Sequence, residues 1–190
     1  MVNYGKIEVE ISGLTPLLMN RMNVDSLKDS GATSRNKEYV PKDMARKAAY
    51  LTDIDGKEEL FVPSYAVYSM LIRAAAAYKF PKRRSSMSGY LAGTIRIEPE
   101  KLLLGTNEYE IDERSVVIQR SRVLAWRPKI KDWKLTFTII YNKFALPNNV
   151  IPQLETMLND GGTRLGLLDY RPQHKGWFGT FEVTKFKIVD

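Results

Sequence analysis

Cysteine is absent from the 190 residues and histidine occurs once. These absences exclude a disulfide framework, a structural zinc site of Cys and His ligands, an iron–sulfur cluster and a cysteine nucleophile. No stretch approaches the roughly 18 apolar residues that span a bilayer. The apolar-rich helical candidate at 66–77 is short and carries Arg73. The opening Met1-Val-Asn-Tyr-Gly-Lys6 has no basic region followed by an apolar run, because Glu8 and Glu10 interrupt the only candidate. A cytoplasmic location with no membrane partner is the expectation. The phosphate-loop pattern GxxxxGK[ST], the dinucleotide pattern GxGxxG and the nucleophile elbow GxSxG are missing as well. The sequence implies no cofactor and no metal, and it leans away from an enzyme.

What is present is enough apolar material for a core, 44% of residues, and a surplus of 29 basic over 22 acidic side chains, a net charge of +7. Such a surplus suits an anionic partner such as nucleic acid.

Hydrophobic periodicity locates the elements. Lys6–Ser12 alternates strictly, with Ile7, Val9 and Ile11 on one face and Glu8, Glu10 and Ser12 on the other, as in a half-buried strand. Met22–Lys37 is polar and poor in large apolar groups, and reads as a long mobile loop. A helix follows Pro41, and Asp55-Gly56 predicts the tight turn of a hairpin over 50–62. Ser64–Lys79 carries a helical stripe of Val67, Tyr68, Leu71, Ile72, Ala75 and Tyr78, with Pro81 as its stop. Leu91–Glu98 alternates again. Ser115–Trp126 and Trp133–Tyr141 form the two best strands, Pro147–Asn159 a helix ended by Gly161-Gly162, and Thr180–Val189 the last strand.

With 13–62 and 81–112 taken as insertions, the order becomes strand, helix, strand, strand, helix, strand over a single domain spanning 1–190. That is an α+β, ferredoxin-like (RRM-like) βαββαβ core in which two helices cover one face of a four-stranded antiparallel sheet. RNA-recognition folds use the open face of such a sheet or its edges.

Three constellations bear on binding. The segment from Gly161 to Glu182 interleaves glycines with Tyr170, Arg171, Lys175 and Trp177. Gly176 and Gly179 would allow backbone N–H groups close to phosphates, Arg171 and Lys175 would add charge, and Tyr170 and Trp177 could stack bases. Along Ser115–Trp126, alternation puts Ile118, Arg120, Arg122, Leu124 and Trp126 on one face, with Arg127 beyond them, suited to gripping phosphates and stacking a base. The bland alternative is a solvated strand whose arginines pair with Glu8, Glu10 or Asp112. Lys82, Arg83 and Arg84 belong to the densest basic cluster, and charge runs are often no more than a solvated loop. His174, the one imidazole, has no visible catalytic partner in the sequence.

Gly166-Leu-Leu, Arg171 and Lys175-Gly-Trp-Phe-Gly179 ahead of the last strand resemble the C-terminal glycine-rich loop of the RAMP proteins, whose Cas7-like and Cas6-like branches bind CRISPR RNA through ferredoxin-like domains. Leu168 stands where that loop has its second glycine, and the final glycine pair is spaced by two residues. The resemblance implies a non-catalytic RNA or single-stranded nucleic-acid binding protein, a Cas7-like backbone subunit coating guide RNA or a viral strand. It also implies a homo-oligomer or multi-subunit ribonucleoprotein. A Cas6-like, metal-independent endoribonuclease using His174 is the alternative within the family. The opening Gly13-Leu-Thr-Pro-Leu-Leu-Met-Asn20 and Arg122-Val-x-x-Trp-Arg-Pro128 also resemble uncharacterised phage and prophage proteins, which adds a phage structural or recombination-accessory role.

Overall fold

Ile7, Val9 and Ile11 are all fully buried, and the strand that holds them, β1 (Tyr4–Gly13), runs through the middle of the main sheet. A computed structural model of the protein describes residues 3–22, 40–81, 83–118 and 121–189. After β1 come the two-residue strand β2 (Leu17–Leu18), helix α1 (Pro41–Ala48) and the hairpin β3 (Leu51–Ile54)–β4 (Lys57–Pro63). Asp55 and Gly56 at its tip both have positive φ, as a two-residue turn of this hand requires. Helix α2 (Ser64–Ala74) and helix α3 (Met87–Ala92) follow, then strands β5 (Ile95–Glu98) and β6 (Lys101–Leu103). The chain continues through β7 (Glu110–Ile118), β8 (Ser121–Ile130) and β9 (Lys134–Asn142), and ends in helix α4 (Ile151–Arg164) and strand β10 (Phe181–Val189). The expected mobile loop lies outside the described residues except for Met22, which is exposed.

The main sheet has the order β10–β1–β9–β5 with every neighbouring pair antiparallel. Read as β1, α2, β5, β9, α4, β10, this is the ferredoxin-like βαββαβ arrangement with long insertions. Helix α2 buries Val67, Met70, Leu71 and Ala74, which recur at the spacing of one helical face. Strand β9 turns Leu135, Phe137, Ile139 and Tyr141 into the same core, while Lys134 and Thr136 point to solvent.

The structure corrects three of the expected elements. The second core strand is Ile95–Glu98, so the span 81–112 contains a core strand and is not one insertion. The expected strand Ser115–Trp126 is instead the distal part of the β7–β8 hairpin, where Ile118 pairs with Ser121 and Val116 with Val123. The chain reverses inside it, and the reversal shifts the alternation by one, so that Val116 shares a face with Val123 and Arg122 lies on the other. Finally, Gly161 and Gly162 lie within α4 and do not end it. A Cβ on Gly161 would sit 2.1 Å from Met70 Sδ, and one on Gly162 would sit 2.5 Å from the Phe181 carbonyl oxygen. These glycines bring α4 against α2 and the start of β10; the left-handed exit is Gly166, with φ of 69°.

Candidate nucleic-acid interface

Three of the segments singled out by sequence pattern, the glycine-rich loop, the arm and Leu14–Asn20, converge on one place. The Leu14–Asn20 segment runs beside the glycine-rich loop: Gly179 N–H donates to the Pro16 carbonyl at 2.8 Å, and Asp169 N–H to that of Leu18 at 3.0 Å. Thr15 and Thr180 are joined through their hydroxyls at 2.8 Å, and Trp133 Nε1 donates to the Thr15 carbonyl at 2.8 Å. The base of the β7–β8 arm joins the same assembly, since Leu17 pairs with Ile130 and Met19 N–H donates to the Pro128 carbonyl at 2.9 Å.

The glycines shape the loop from within. Gly176 N–H donates to the Arg171 carbonyl, Phe178 N–H to that of Tyr170, and Leu167 N–H to that of Gly179. A Cβ on Gly176 would lie 1.7 Å from the Tyr170 carbonyl oxygen, and one on Gly179 would lie 2.1 Å from that of Leu167. Gly179 also has a φ of 68°. The space beside both residues is filled by the chain's own backbone, and both N–H groups are already bonded. Gly176 and Gly179 therefore hold the loop's shape and offer a phosphate neither room nor donors, contrary to the expectation from the sequence.

Arg127, expected on the binding surface, is 5% exposed and faces inward. Its guanidinium binds Asp169 of the loop at 2.6 Å and Asp112 of β7 at 3.4 Å, and Asp112 also takes Arg114 at 2.9 Å. This chain of ion pairs fastens the arm to the loop. Buried charges need such partners, and removing one strands the others. The sequence offered Asp112 as a partner for the arginines of the strand face, Arg120 and Arg122; it is Arg127 that pairs with it.

On this frame stands a shelf of aromatic and cationic groups. Phe178 is buried; the Trp177 ring packs on it at 4.6 Å and the Tyr170 ring lies at 6.1 Å. Trp177 is 55% exposed and Tyr170 38%. The Arg114 guanidinium lies 4.9 Å from the Phe178 ring and 5.6 Å from that of Tyr170. Lys175, in left-handed conformation at the crest of the loop, is exposed. The register places Asp112, Arg114, Val116, Val123, Ala125 and Arg127 on the face of the arm that meets the loop, and Arg122, Leu124 and Trp126 on the other. Arg122 and Leu124 are exposed, and Trp126 Nε1 donates to Glu113 at 2.8 Å. Arg120 lies outside the described residues.

Arg171 turns away from the shelf into a cleft of about 340 Å³ between α2 and the loop, where Arg73, Tyr50 and Tyr65 join it. Its guanidinium donates to Gln173 Oε1 at 3.2 and 3.1 Å and to the Leu168 carbonyl. Burial, and then the charge of Arg73, hold its pKa below the ordinary guanidinium value. Burial and a hydrogen bond with Tyr65 push the Tyr50 phenol up, so it stays protonated.

The basic cluster after α2 stands apart from these groups. Phe80 and Tyr90 stack at 4.4 Å, with the Arg83 guanidinium 5.6 and 5.4 Å from their centroids and donating to the Tyr90 hydroxyl. Hydrogen bonds from Ser85 and Arg83 lower the Tyr90 pKa. Arg84 is exposed, and Lys82 lies outside the described residues. His174 is exposed on the 3₁₀ turn Pro172–His174. Among the described residues no three His, Asp or Glu side chains gather to hold a metal ion, and no helix is long and apolar enough to cross a membrane.

Sequence reasoning missed Arg73, Arg114, Tyr50 and Tyr65 as site residues. Arg73 carried a signal, as the one cation in an apolar helical stretch. Arg114 carried a weaker one, in its i+2 spacing from Asp112.

No protein-family model matches the chain, and no curated protein matches it. Among solved structures it is similar to a chain of a "CRISPR RNA-guided surveillance complex", at 12% identity and a TM-score of 0.35. The likeness covers 81% of this chain and 58% of that one, so the chain spans somewhat more than half of its neighbour's length.

Proposed function

We propose that the protein binds single-stranded nucleic acid, RNA first, through the shelf where the glycine-rich loop meets the β7–β8 arm, and does not cleave it. The observation that carries this reading is the exposure of Trp177 and Tyr170 on a buried Phe178 beside Arg114, on a frame fixed by the Asp112–Arg127–Asp169 ion pairs. Rigid exposed rings accept bases of any identity, and nearby cations follow the phosphates. Lys175 extends the charge along the loop, while Arg122 adds an exposed cation on the opposite face of the arm. In its finer form the reading makes the protein a Cas7-like subunit that coats a guide RNA or a viral strand as a repeating oligomer, as the loop resemblance implies.

Fluorescence anisotropy with labelled oligouridylate and oligothymidylate, repeated across a salt series, tests the proposal. Affinity should fall linearly against log salt, with a slope of roughly −0.7 for each phosphate contacted. Salt-independent binding, or none to any single strand, refutes it.

A further inference from the structure

Beside the shelf, the cleft between α2 and the glycine-rich loop has the chemistry of a second site. Two guanidiniums face it, one from each wall: Arg73 from the helix and Arg171 from the loop. Arg171 is half-buried, and its hydrogen bonds go to neutral oxygens, the Gln173 amide and the Leu168 carbonyl. The carboxylate in the lining, Asp169, is held by Arg127 at 2.6 Å. Among the described residues of the lining, two guanidiniums therefore face one carboxylate that is already shared with Arg127, and the cleft is left with a surplus of positive charge. A half-buried cation in that position favours an anion that brings its own hydrogen-bond acceptors.

The rest of the lining narrows the ligand. Tyr50 and Tyr65 stand with their hydroxyls 3.5 Å apart and present both ring surface and hydroxyl groups, and Asn20, Ser69 and Gln173 add polar contacts. The volume of about 340 Å³ lies at the small end of the range for small-molecule pockets. We infer that this cleft is a binding site for a nucleoside monophosphate, its phosphate between Arg73 and Arg171 and its base against Tyr50 and Tyr65. The site uses other residues than the shelf, so it stands whether or not the shelf binds a strand.

The test is titration calorimetry and thermal unfolding of the full chain with AMP, inorganic phosphate and adenosine. AMP should bind saturably and raise the melting temperature, phosphate should bind more weakly, and adenosine should do neither. Arg73→Ala, at an exposed helix position, should leave the unliganded protein folded and weaken AMP by about tenfold, the loss of one charge-assisted contact. Tyr65→Phe should weaken AMP less. Saturation of the shelf with an oligonucleotide lacking terminal phosphates should leave AMP binding unchanged.

Absence of saturable AMP binding at about 10 mM, a Kd limit near −2.7 kcal/mol, overturns the inference. So does equal affinity in Arg73→Ala. Displacement of AMP by the oligonucleotide overturns it too, by making the cleft part of the strand's path. Failure of oligonucleotide binding with AMP binding intact would refute the shelf alone.

Discussion

On the open face of the main sheet, Glu8 binds Lys185 at 3.1 Å, Glu10 accepts from the Thr184 hydroxyl at 3.0 Å, and Arg96 binds Glu98 at 2.7 Å. On the shelf, Arg114 lies over aromatic rings and Lys175 is exposed on the same loop. RNA-recognition domains stack bases on aromatics of the central strands. Here the central strands β1 and β9 carry Glu8, Glu10, Thr136 and Thr138 on that face, in paired register. Apart from Tyr4 at the start of β1, whose ring lies 5.1 Å from the Arg96 guanidinium, the face has acids and hydroxyls where stacking rings would stand. On the proposed reading the sheet of the ferredoxin-like core is the support, and the groups suited to an anionic strand sit on the β7–β8 arm and on the loop between α4 and β10.

The contrast can be broken most severely at its foundation. Arg127→Leu removes the cation shared by Asp112 and Asp169, and should cost about 3–5 kcal/mol in chemical denaturation. A loss near zero would mean that the arm is not held by these pairs. Gly176→Val should cost about 2–3 kcal/mol, because the side chain would collide with the Tyr170 carbonyl. A variant as stable as the parent would show that the loop can open, and would return the glycine to the binding surface.

The next two variants sharpen the contrast. Trp177→Ala should lower affinity for oligouridylate by about 1–3 kcal/mol while hardly shifting the denaturation midpoint, since the ring is largely exposed. Thr136→Ala, on the sheet face, should leave affinity within about 0.5 kcal/mol of the parent. If the two results were exchanged, the sheet would be the binding face.

The smallest effect concerns Asp160 on α4, whose carboxyl is held below its usual pKa by the hydrogen bond from Arg164. A depressed folded pKa stabilises above the unfolded value, and that stability is lost as pH falls through the folded one. Asp160→Asn should cost about 0.3–0.5 kcal/mol at neutral pH and nothing once the carboxyl is protonated. Denaturation curves at pH 7 and pH 2.5 check the sign.

Legibility in the sequence followed the range of the interactions. The alternation in Lys6–Ser12 and Trp133–Tyr141 reported burial correctly, because one strand face is enough to show it. The β7–β8 reversal was invisible: alternation reads straight through Ser115–Trp126, whereas the turn shifts it by one and puts Val116 on the face of Val123 and not of Arg122. Ile95–Glu98 is only four residues long and gains its central role from pairing with β9, a partner 40 residues on in sequence. Within the site, the loop, the arm and the Leu14–Asn20 segment were each visible as patterns, but their convergence was not. Arg127 illustrates the limit. Its residue type and neighbours suit a phosphate, and only the tertiary approach of Asp169 makes it an internal clamp.

The position of β1 between β9 and β10 bears on how the protein is made. Thr184 and Glu10, in contact across β10 and β1, are 174 residues apart in the chain. Neither edge of β1 can be closed by a nearby strand, so its two neighbours arrive late and at the cost of closing long loops. During synthesis at roughly 5–20 residues per second, β1 waits on the order of ten seconds or more for its last partner. Through that interval an alternating strand with Ile7, Val9 and Ile11 on one side is without its sheet. The nascent chain is then most exposed to wrong pairing, and the burden of shielding it falls on chaperones or on transient local packing.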